Sequence, residues 1–282
     1  MGRIINIIKS TGEKEPLSLE KLLRTLKRAG AGENLANQIA QDIKNKAWSG
    51  ITTSEVYKMA MRQLRKAHPA MAARYSLRNA IFRLGPAGFE FEKYTVLLLR
   101  KYGYKAVLPE ILQGKCITHE VDILAEHNGK KMMMECKLRQ STEFFVTIKD
   151  TMSTWARFMD LVDASAMGRG PRLDEAWIVT NSKFSYDSLQ FGLCKGMGML
   201  SWNTPTEKPL PAWIDEKKLY PITILQNLKG QHLEAFGRAE ILVLEDLVKF
   251  NLSELSKAVR LPQKYIAPVL EEAKEILEFE PR

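Results

Sequence analysis

Apolar and polar residues alternate along two short runs in the middle of the chain, and this alternation predicts a β-hairpin. Asn128-Gly129 separates the runs, and this dipeptide favours a two-residue type I′ turn because both central residues need a positive φ. In that register Asp122 faces Glu135 and Glu120 faces Lys137. All four side chains project from one face, because successive residues of a strand alternate. The opposite face is wholly apolar and comprises Val121, Ile123, Ala125, Met132, Met134, Cys136 and Leu138.

The charged face of this hairpin carries three carboxylates and one amine. Such a cluster is costly unless a cation lies among the carboxylates. A hard divalent ion, Mg²⁺ or Mn²⁺, suits the cluster because one or two carboxylates and several waters can hold it. The ion polarises a phosphoryl oxygen, while Lys137 can steady or deprotonate the attacking water. The pattern indicates phosphodiester hydrolysis, and a solvated hairpin with a charged outer face is the alternative.

Strands and helices are predicted to alternate after the hairpin. The apolar periodicity favours a helix over Phe144–Val162, a strand over Glu175–Thr180, a helix over Phe184–Lys195 and a strand over Met197–Trp202. This order predicts a central α/β/α core whose mixed sheet is covered on both faces.

The N-terminal segment is predicted to contain a small β-hairpin followed by helices. Residues 3–9 are typical of a strand, and Ser18 can cap a helix that runs to about Ala29. A second helix is expected over Glu33–Trp48. Thr52-Thr-Ser-Glu55 has the sequence of a capping box, which predicts the start of a third helix, and a fourth helix is expected after Pro69.

Three prolines in a polar stretch indicate a linker over residues 204–217, and short helices are expected beyond it. Breaks are predicted at Gly230, Gly237 and Leu261-Pro262. The chain is therefore predicted to be a multidomain α/β protein with a small all-helical C-terminal domain. The predicted domains are residues 1–85, 86–203 and 218–282, with the linker between the last two.

Charge is unevenly distributed along the 282 residues, whose net charge is +9. Residues 1–85 carry +10, residues 86–213 carry +1 and residues 214–282 carry −2. A basic N-terminal third suits phosphate-bearing partners, either nucleotides or nucleic acid, although a solvated basic helical face is the alternative. The chain contains no apolar run long enough to indicate a membrane span. The three cysteines form no Cys-x-x-Cys pair, which favours reduced thiols in a cytoplasmic protein.

The hairpin resembles the core of the PD-(D/E)xK nucleases, in which an acidic residue precedes Glu-x-Lys. More narrowly, Gly88-Phe-Glu-Phe-Glu92 before the hairpin resembles the Gly-x-x-Phe-Glu helix of Mrr-like restriction endonucleases. The resemblance implies a catalytic set of Glu92, Asp122, Glu135 and Lys137, with the three acids as metal ligands. Glu120 is expected to pair with Lys137, and a role as a further metal ligand is the alternative. Double-strand cleavage of DNA would then require a homodimer.

A later segment, Arg157-Phe-Met-Asp160, resembles the helix that flanks the site in that nuclease family. An intrahelical ion pair between Arg157 and Asp160 is the alternative interpretation.

The N-terminal segment resembles the ATP-cone, the allosteric nucleotide module of ribonucleotide reductases. The similarity rests on Ile8-Lys-Ser-Thr-Gly-Glu-Lys-Glu and on Gly50-Ile-Thr-Thr53. It implies that ATP or dATP binds at five residues, of which Lys9 and Lys21 contact phosphates. The others are Ser10, which replaces a common Arg, Glu15 and Thr53. A degenerate cone kept as a helical scaffold is the alternative.

The C-terminal helices resemble helix-hairpin-helix modules, with Arg260-Leu-Pro262 at one expected hairpin but no clear glycine. They are expected either to contact DNA or to serve packing or dimerisation. The sequence thus predicts a metal-dependent, restriction-type DNA endonuclease regulated by a purine nucleotide. A non-catalytic, nucleotide-sensing DNA-binding regulator is the alternative, and RNA or branched DNA could replace duplex DNA as substrate.

Overall fold

The structure, a computed structural model, describes residues 5–9, 11–85, 91–108, 110–140 and 144–280. The chain divides into two compact units, and the second is inserted into the first. Residues 1–80 and 222–282 form the first unit, and residues 81–221 form the second. This division differs from the predicted domains, because the C-terminal helices join the N-terminal segment in one unit.

The first unit begins with a sheet of three short strands, β1 (Asn6–Ile8), β2 (Lys14–Pro16) and β3 (Ile51–Thr52). β1 lies in the middle, antiparallel to β2 and parallel to β3. The predicted N-terminal strand is confirmed over β1, which is shorter than expected.

Five helices are described between residues 11 and 85: α1 (Leu19–Arg28), α2 (Glu33–Lys46), α3 (Thr53–Ala67), α4 (Pro69–Tyr75) and α5 (Leu77–Phe82). The first four belong to the first unit, and the unit boundary at residue 81 falls within α5. Ser18 caps α1 as predicted, and Thr52 with Glu55 forms the predicted capping box of α3. The apolar faces of these helices meet the sheet in one core, which includes Leu26, Ile39, Ile43, Ile51 and Leu64.

The C-terminal part of the first unit comprises a 3₁₀ turn (Ile222–Ile224), α10 (Gly230–Arg238), α11 (Leu244–Leu247), α12 (Leu252–Val259) and α13 (Gln263–Glu278). The break predicted at Gly237 occurs one residue later, because α10 ends at Arg238 and α11 begins only at Leu244. Arg260, at the expected hairpin, has a left-handed φ of 56°. This segment is tied to the N-terminal helices: α13 packs against α4, and the Thr223 hydroxyl donates to the Ala80 carbonyl at 2.7 Å.

Seven strands occur in the described part of the second unit: β4 (Lys105–Val107), β5 (Glu110–Gln113), β6 (Thr118–Val121), β7 (Ile123–His127), β8 (Lys130–Lys137), β9 (Glu175–Thr180) and β10 (Gly198–Leu200). Five of them form a mixed sheet in the order β10-β9-β8-β7-β4, and β5 pairs with β6. β8 lies at its centre, antiparallel to β7 and parallel to β9. The consecutive residues Met132–Cys136 are all buried. Because their side chains alternate, both faces of β8 are covered.

The described residues of the second unit also contain the helices α6 (Phe91–Lys101), α7 (Ile148–Ala166), α8 (Tyr186–Cys194) and α9 (Leu210–Glu216). The helix predicted from Phe144 starts only at Ile148, because Thr147 and Asp150 form a capping box there. The linker predicted over residues 204–217 is corrected to a segment that contains α9. Leu210 and Ile214 of this helix are buried, which is why the proline-rich stretch is ordered. No helix in the described ranges is long and apolar enough to cross a membrane.

Candidate active site

The predicted hairpin register is confirmed. Ile123 of β7 pairs with Met134 of β8, and the pairing continues to His127 and Lys130 beside the turn. Asn128 and Gly129 have φ values of 49° and 75°, as a type I′ turn requires. The acidic end of the hairpin is therefore the end away from the turn, where β7 begins and β8 ends.

Asp122 lies in the short gap between β6 and β7, where the chain leaves one sheet and enters the other. Its Oδ2 accepts the Cys136 N–H at 2.8 Å, which fixes the carboxylate against the end of β8. Burial raises the pKa of Asp122 to about 6, and the negative charges of Glu135 and Glu92 add to this effect. The Cys136 N–H and the Lys137 charge act in the opposite direction. The other three predicted catalytic residues therefore lie close enough to Asp122 to influence its carboxyl group.

Glu135 is the most buried of the predicted acids, with 4% of its side chain exposed. Its Oε1 accepts hydrogen bonds from Lys137 Nζ and, at 2.9 Å, from Arg157 Nη2. Its Oε2 is buried and has no hydrogen-bond partner within the described residues. Leaving a buried carboxylate oxygen unsatisfied is costly, so this oxygen needs a water molecule or a cation as its partner.

Lys137 pairs with Glu135 and not with Glu120, so the predicted Glu120–Lys137 pair is wrong. Glu120 lies on β6, which pairs with β5 outside the central sheet. Its side chain is exposed. Its carbonyl oxygen accepts a hydrogen bond from Arg157 Nη1 at 3.0 Å. Glu120 therefore contributes a backbone contact rather than a carboxylate to the cluster.

Helix α7 flanks the acidic cluster, and the alternative of an Arg157–Asp160 ion pair is wrong. Arg157 bridges the Glu135 carboxylate and the Glu120 carbonyl. Asp160 instead accepts the His119 ring nitrogen at 2.8 Å and the Cys116 N–H at 2.9 Å. These bonds lower the pKa of Asp160 to about 2. The two residues thus anchor β6 and the turn before it to α7.

Sequence reasoning missed the residues that hold the end of β8. The Thr180 hydroxyl donates to the Lys137 carbonyl at 2.6 Å. The Asn181 side chain bonds both the N–H and the carbonyl of Arg139 at 2.7 Å. The sequence feature that could have revealed these residues is the polar end of the buried strand β9. The parallel strands β8 and β9 end at the same edge of the sheet, so residues at the end of β9 lie beside the end of β8.

The predicted metal ligands are brought together only in part. Asp122 and Glu135 lie at one sheet end, and Glu92 in the first turn of α6 acts electrostatically on Asp122. Across the described ranges, no three His, Cys, Asp or Glu side chains form a group that could hold a metal ion. The donor chemistry still suits one hard cation, because two carboxylates and waters are a sufficient set for Mg²⁺.

The predicted nucleotide-binding residues gather partly at one end of the small sheet. Lys9 Nζ lies 2.9 Å from both Glu13 Oε2 and Glu15 Oε2, and these two carboxylates raise its pKa. Because Ile8 pairs with Thr52 in parallel register, Lys9 and Thr53 directly follow neighbouring strands at the same end of the sheet. Lys21 lies in the first turn of α1. Ser10 lies outside the described residues.

Comparisons with known proteins match the N-terminal and C-terminal segments of the chain to two family models. The model of the ATP cone domain family matches residues 5–81, and the model named AF1548-like, C-terminal matches residues 220–277. An uncharacterized protein of Archaeoglobus fulgidus is 30% identical over 180 residues, which is 64% of this chain and 98% of that protein. A crystal structure titled as the protein of unknown function AF1548 has a TM-score of 0.56 and 28% identity, and the match covers 70% of this chain and 98% of that one.

The ATP-cone resemblance is thus confirmed, and it indicates regulation through nucleotide sensing. Neither relative has a named activity, so any hydrolytic role depends on the acidic cluster itself. The chain belongs to the AF1548-like family and carries an ATP-cone at its N-terminal end.

Proposed function

We propose that the second unit is a divalent-metal-dependent endonuclease that hydrolyses phosphodiester bonds of DNA. Nucleotide binding to the ATP-cone regulates this activity. The observation that supports the proposal best is the buried Glu135 carboxylate. One of its oxygens is shared by Lys137 and Arg157, and the other has no hydrogen-bond partner among the described residues.

Asp122 and Glu135 would hold the ion, either Mg²⁺ or Mn²⁺, and Glu92 would orient water beside it. When bound, a divalent ion supplies Lewis-acid polarisation of a phosphoryl oxygen. The pKa of Asp122 near 6 means that its proton must be lost before the carboxylate can serve as a ligand. Activity is therefore expected to rise with pH through the region of that pKa.

Lys137 and Arg157 provide the positive charge of the site. Lys137 has 25% of its side chain exposed, so its ammonium can contact a water or a phosphate oxygen at the surface. Arg157 holds Glu135 and the Glu120 carbonyl with separate nitrogens. Its role is positioning, because a rigid fork that joins two acceptors fixes the carboxylate before substrate arrives.

A plasmid-nicking assay with Mg²⁺ or Mn²⁺ tests the hydrolytic proposal. Glu135→Gln keeps the side-chain shape but removes the charge, and we expect it to reduce the nicking rate by about 10²–10³-fold, the usual loss for a single electrostatic contact to the transition state. Glu126→Gln is the matched control, because Glu126 lies on the same hairpin away from the cluster. The control should nick at the wild-type rate.

Metal binding provides a readout separate from activity. Titration of Mn²⁺ followed by electron paramagnetic resonance should show a site in the wild type and in Glu126→Gln, and no such site in Glu135→Gln. Equal Mn²⁺ binding by all three proteins would contradict the ligand assignment. Intact plasmid across a range of sequences, methylation states and nucleotides would favour the non-catalytic regulator.

The nucleotide ligand is proposed to be ATP or dATP, with Lys9 exchanging its contacts to Glu13 and Glu15 for contacts to phosphate. Calorimetric titration with ATP should show weaker binding for Lys9→Gln than for the wild type. Lys14→Gln is the matched control, because Lys14 is an exposed lysine on the adjacent strand β2. Similar losses in both variants would point to general charge attraction instead of a built phosphate contact.

A further inference from the structure

The exposed face of α3 concentrates positive charge that the proposed function has not used. Its charged residues after the capping Glu55 are Lys58, Arg62, Arg65 and Lys66, and all four are exposed. Lys58, Arg62 and Lys66 are spaced by four residues, so they lie on one side of the helix. We call these four residues the α3 cationic face.

Within the part of the chain that the structure describes, direct ion pairs do not neutralise the α3 cationic face, although Glu55 lies near Lys58 and Glu272 lies near Arg65. Within the described residues, no ion pair joins Lys58, Arg62 or Lys66 to a carboxylate, and Arg65 donates to the Gln226 side chain. A solvated helix usually mixes acids and bases at i, i+4 positions. Here the single acid of the helix, Glu55, is held in the capping box by the N–H and hydroxyl of Thr52.

Two surface cavities lie on either side of Arg62 and Lys66, which line both. One has a volume of about 600 Å³ and also includes Lys46 and Asp42. Asp42 is engaged by Lys46 at 2.7 Å and by Gln63 at 2.9 Å. The other has a volume of about 560 Å³, contains Lys58 and Arg65, and has no acid among its lining residues.

The opposite side of α3 is fixed in the core through Val56, Ala60 and Leu64. The cations are therefore presented on a rigid helix and not on a loop. From Lys58 to Lys66 they extend over about 12 Å at 1.5 Å per residue. A line of cations of this length suits a polyanion of regular charge density better than a single phosphate group. Duplex DNA is such a polyanion, with about one charge per 1.7 Å of axis.

We propose that the α3 cationic face binds the phosphate backbone of double-stranded DNA, without reading its sequence. This inference rests on the proposed function for its substrate class, and it places a DNA-holding surface on the nucleotide-sensing unit. The contact is electrostatic and should therefore weaken steeply with salt.

Binding of a labelled DNA duplex, measured by fluorescence anisotropy in EDTA, tests the inference without cleavage. The triple variant Lys58→Gln, Arg62→Gln, Lys66→Gln should bind about 10- to 100-fold more weakly at 0.1 M salt, because three phosphate contacts are lost. The slope of log affinity against log salt should fall in magnitude by about 3. Arg65 is left in place because of its bond to Gln226.

A matched triple variant, Lys14→Gln, Arg24→Gln, Lys27→Gln, removes the same charge from exposed residues of β2 and α1, which lie in the same unit but outside the helix-hairpin-helix-like segment. It should keep wild-type affinity, and both triple variants should keep wild-type ATP binding. Equal losses in the two variants, or wild-type DNA binding by the α3 variant, would overturn the inference. So would binding to phosphatidylserine vesicles without binding to DNA.

The two proposals fail in distinguishable ways. Glu135→Gln should bind the duplex like the wild type while losing nicking activity. A wild-type protein that binds DNA through α3 but never cleaves it leaves the inference standing and removes the hydrolase proposal. If the wild-type protein cleaves DNA and the α3 triple variant binds DNA with wild-type affinity, the hydrolase proposal stands and the inference about α3 is overturned.

Discussion

The Asp122 carboxyl is the individual group whose ionisation affects both stability and the proposed chemistry. Its pKa is raised from an ordinary value of 3.8 to about 6, with burial as the largest cause. Between these two pH values the native chain holds a proton that the unfolded chain has lost. The native state is therefore penalised as pH rises through this window, and the full penalty is present above about pH 6.

Asp122→Asn should consequently stabilise the protein at pH 8 and have little effect near pH 4. Two pKa units correspond to about 3 kcal/mol, and partial solvent access reduces the expected gain to about 1–2 kcal/mol. Thermal unfolding of both proteins at pH 4, 6 and 8 in EDTA measures this. Added Mg²⁺ should stabilise only the wild type at pH 8, and a less stable Asn variant there would contradict the assigned pKa shift.

Sequence reasoning placed Asp122 and Glu135 together because one hairpin carries both, and the Asn128-Gly129 turn sets their register. It paired Lys137 with Glu120 because strand alternation alone puts them on one face. Lys137 pairs instead with Glu135, because β6, which carries Glu120, belongs to a different sheet. No local sequence pattern predicts that change of sheet. The contact between Arg157 and Glu135 joins residues 22 positions apart on a helix and a strand, so only the packing of α7 reveals it.

Three helices within the described residues, α3, α7 and α12, start with a capping box. Thr52 and Glu55 form a capping box on α3 in the first unit, and Thr147 and Asp150 form one on α7 in the second. Thr52→Ala should cost about 1 kcal/mol and accelerate amide hydrogen exchange in the first turns of α3. Thr147→Ala should do the same in α7, which carries Arg157.

Ser54→Ala is the control for the first of these changes, since Ser54 is an exposed residue in the first turn of α3. It should leave exchange unchanged. Faster exchange in α7 after Thr52→Ala would mean that the two compact units do not open independently.

For helices and strands, local sequence signals predicted the observed positions, whereas features that depend on tertiary packing were not predicted. The α3 capping box and strand β9 (Glu175–Thr180) were predicted at the observed positions, because each is specified by neighbouring residues. Helix α9 was taken for a linker because of its prolines. Proline is tolerated in the first turn of a helix, and the burial of Leu210 and Ile214 that orders this segment is a tertiary effect.

For the whole molecule, the grouping of the C-terminal helices with the ATP-cone is the feature that sequence could not reveal. Glu272 of α13 illustrates the coupling within this part of the unit: it accepts the N–H groups of Gln226 and Asn227, each at 2.8 Å. Composition separated the basic first third from the acidic last quarter. Their association depends on apolar surfaces that are almost 200 residues apart in the chain, such as those of α4 and α13.

Removal of residues 222–282 should therefore destabilise the ATP-cone, because α4 would lose its packing against α13 and α5 would lose the hydrogen bond from Thr223. Circular dichroism of the truncated chain should show a lower unfolding midpoint than that of the full chain. Residues 222–282 added as a separate peptide should restore part of the difference. An unchanged midpoint would show that the cone folds without its C-terminal partner.

The insertion of one unit into the other also imposes an order on biosynthesis. The ribosome releases residues 81–221 as a continuous stretch, so that unit can be completed while translation continues. The cone precedes this stretch, and its unit is completed only after a delay, when the helices of residues 222–282 are made. At about 5–20 residues per second, this delay is on the order of 10–40 s, during which its apolar helix faces are available to chaperones.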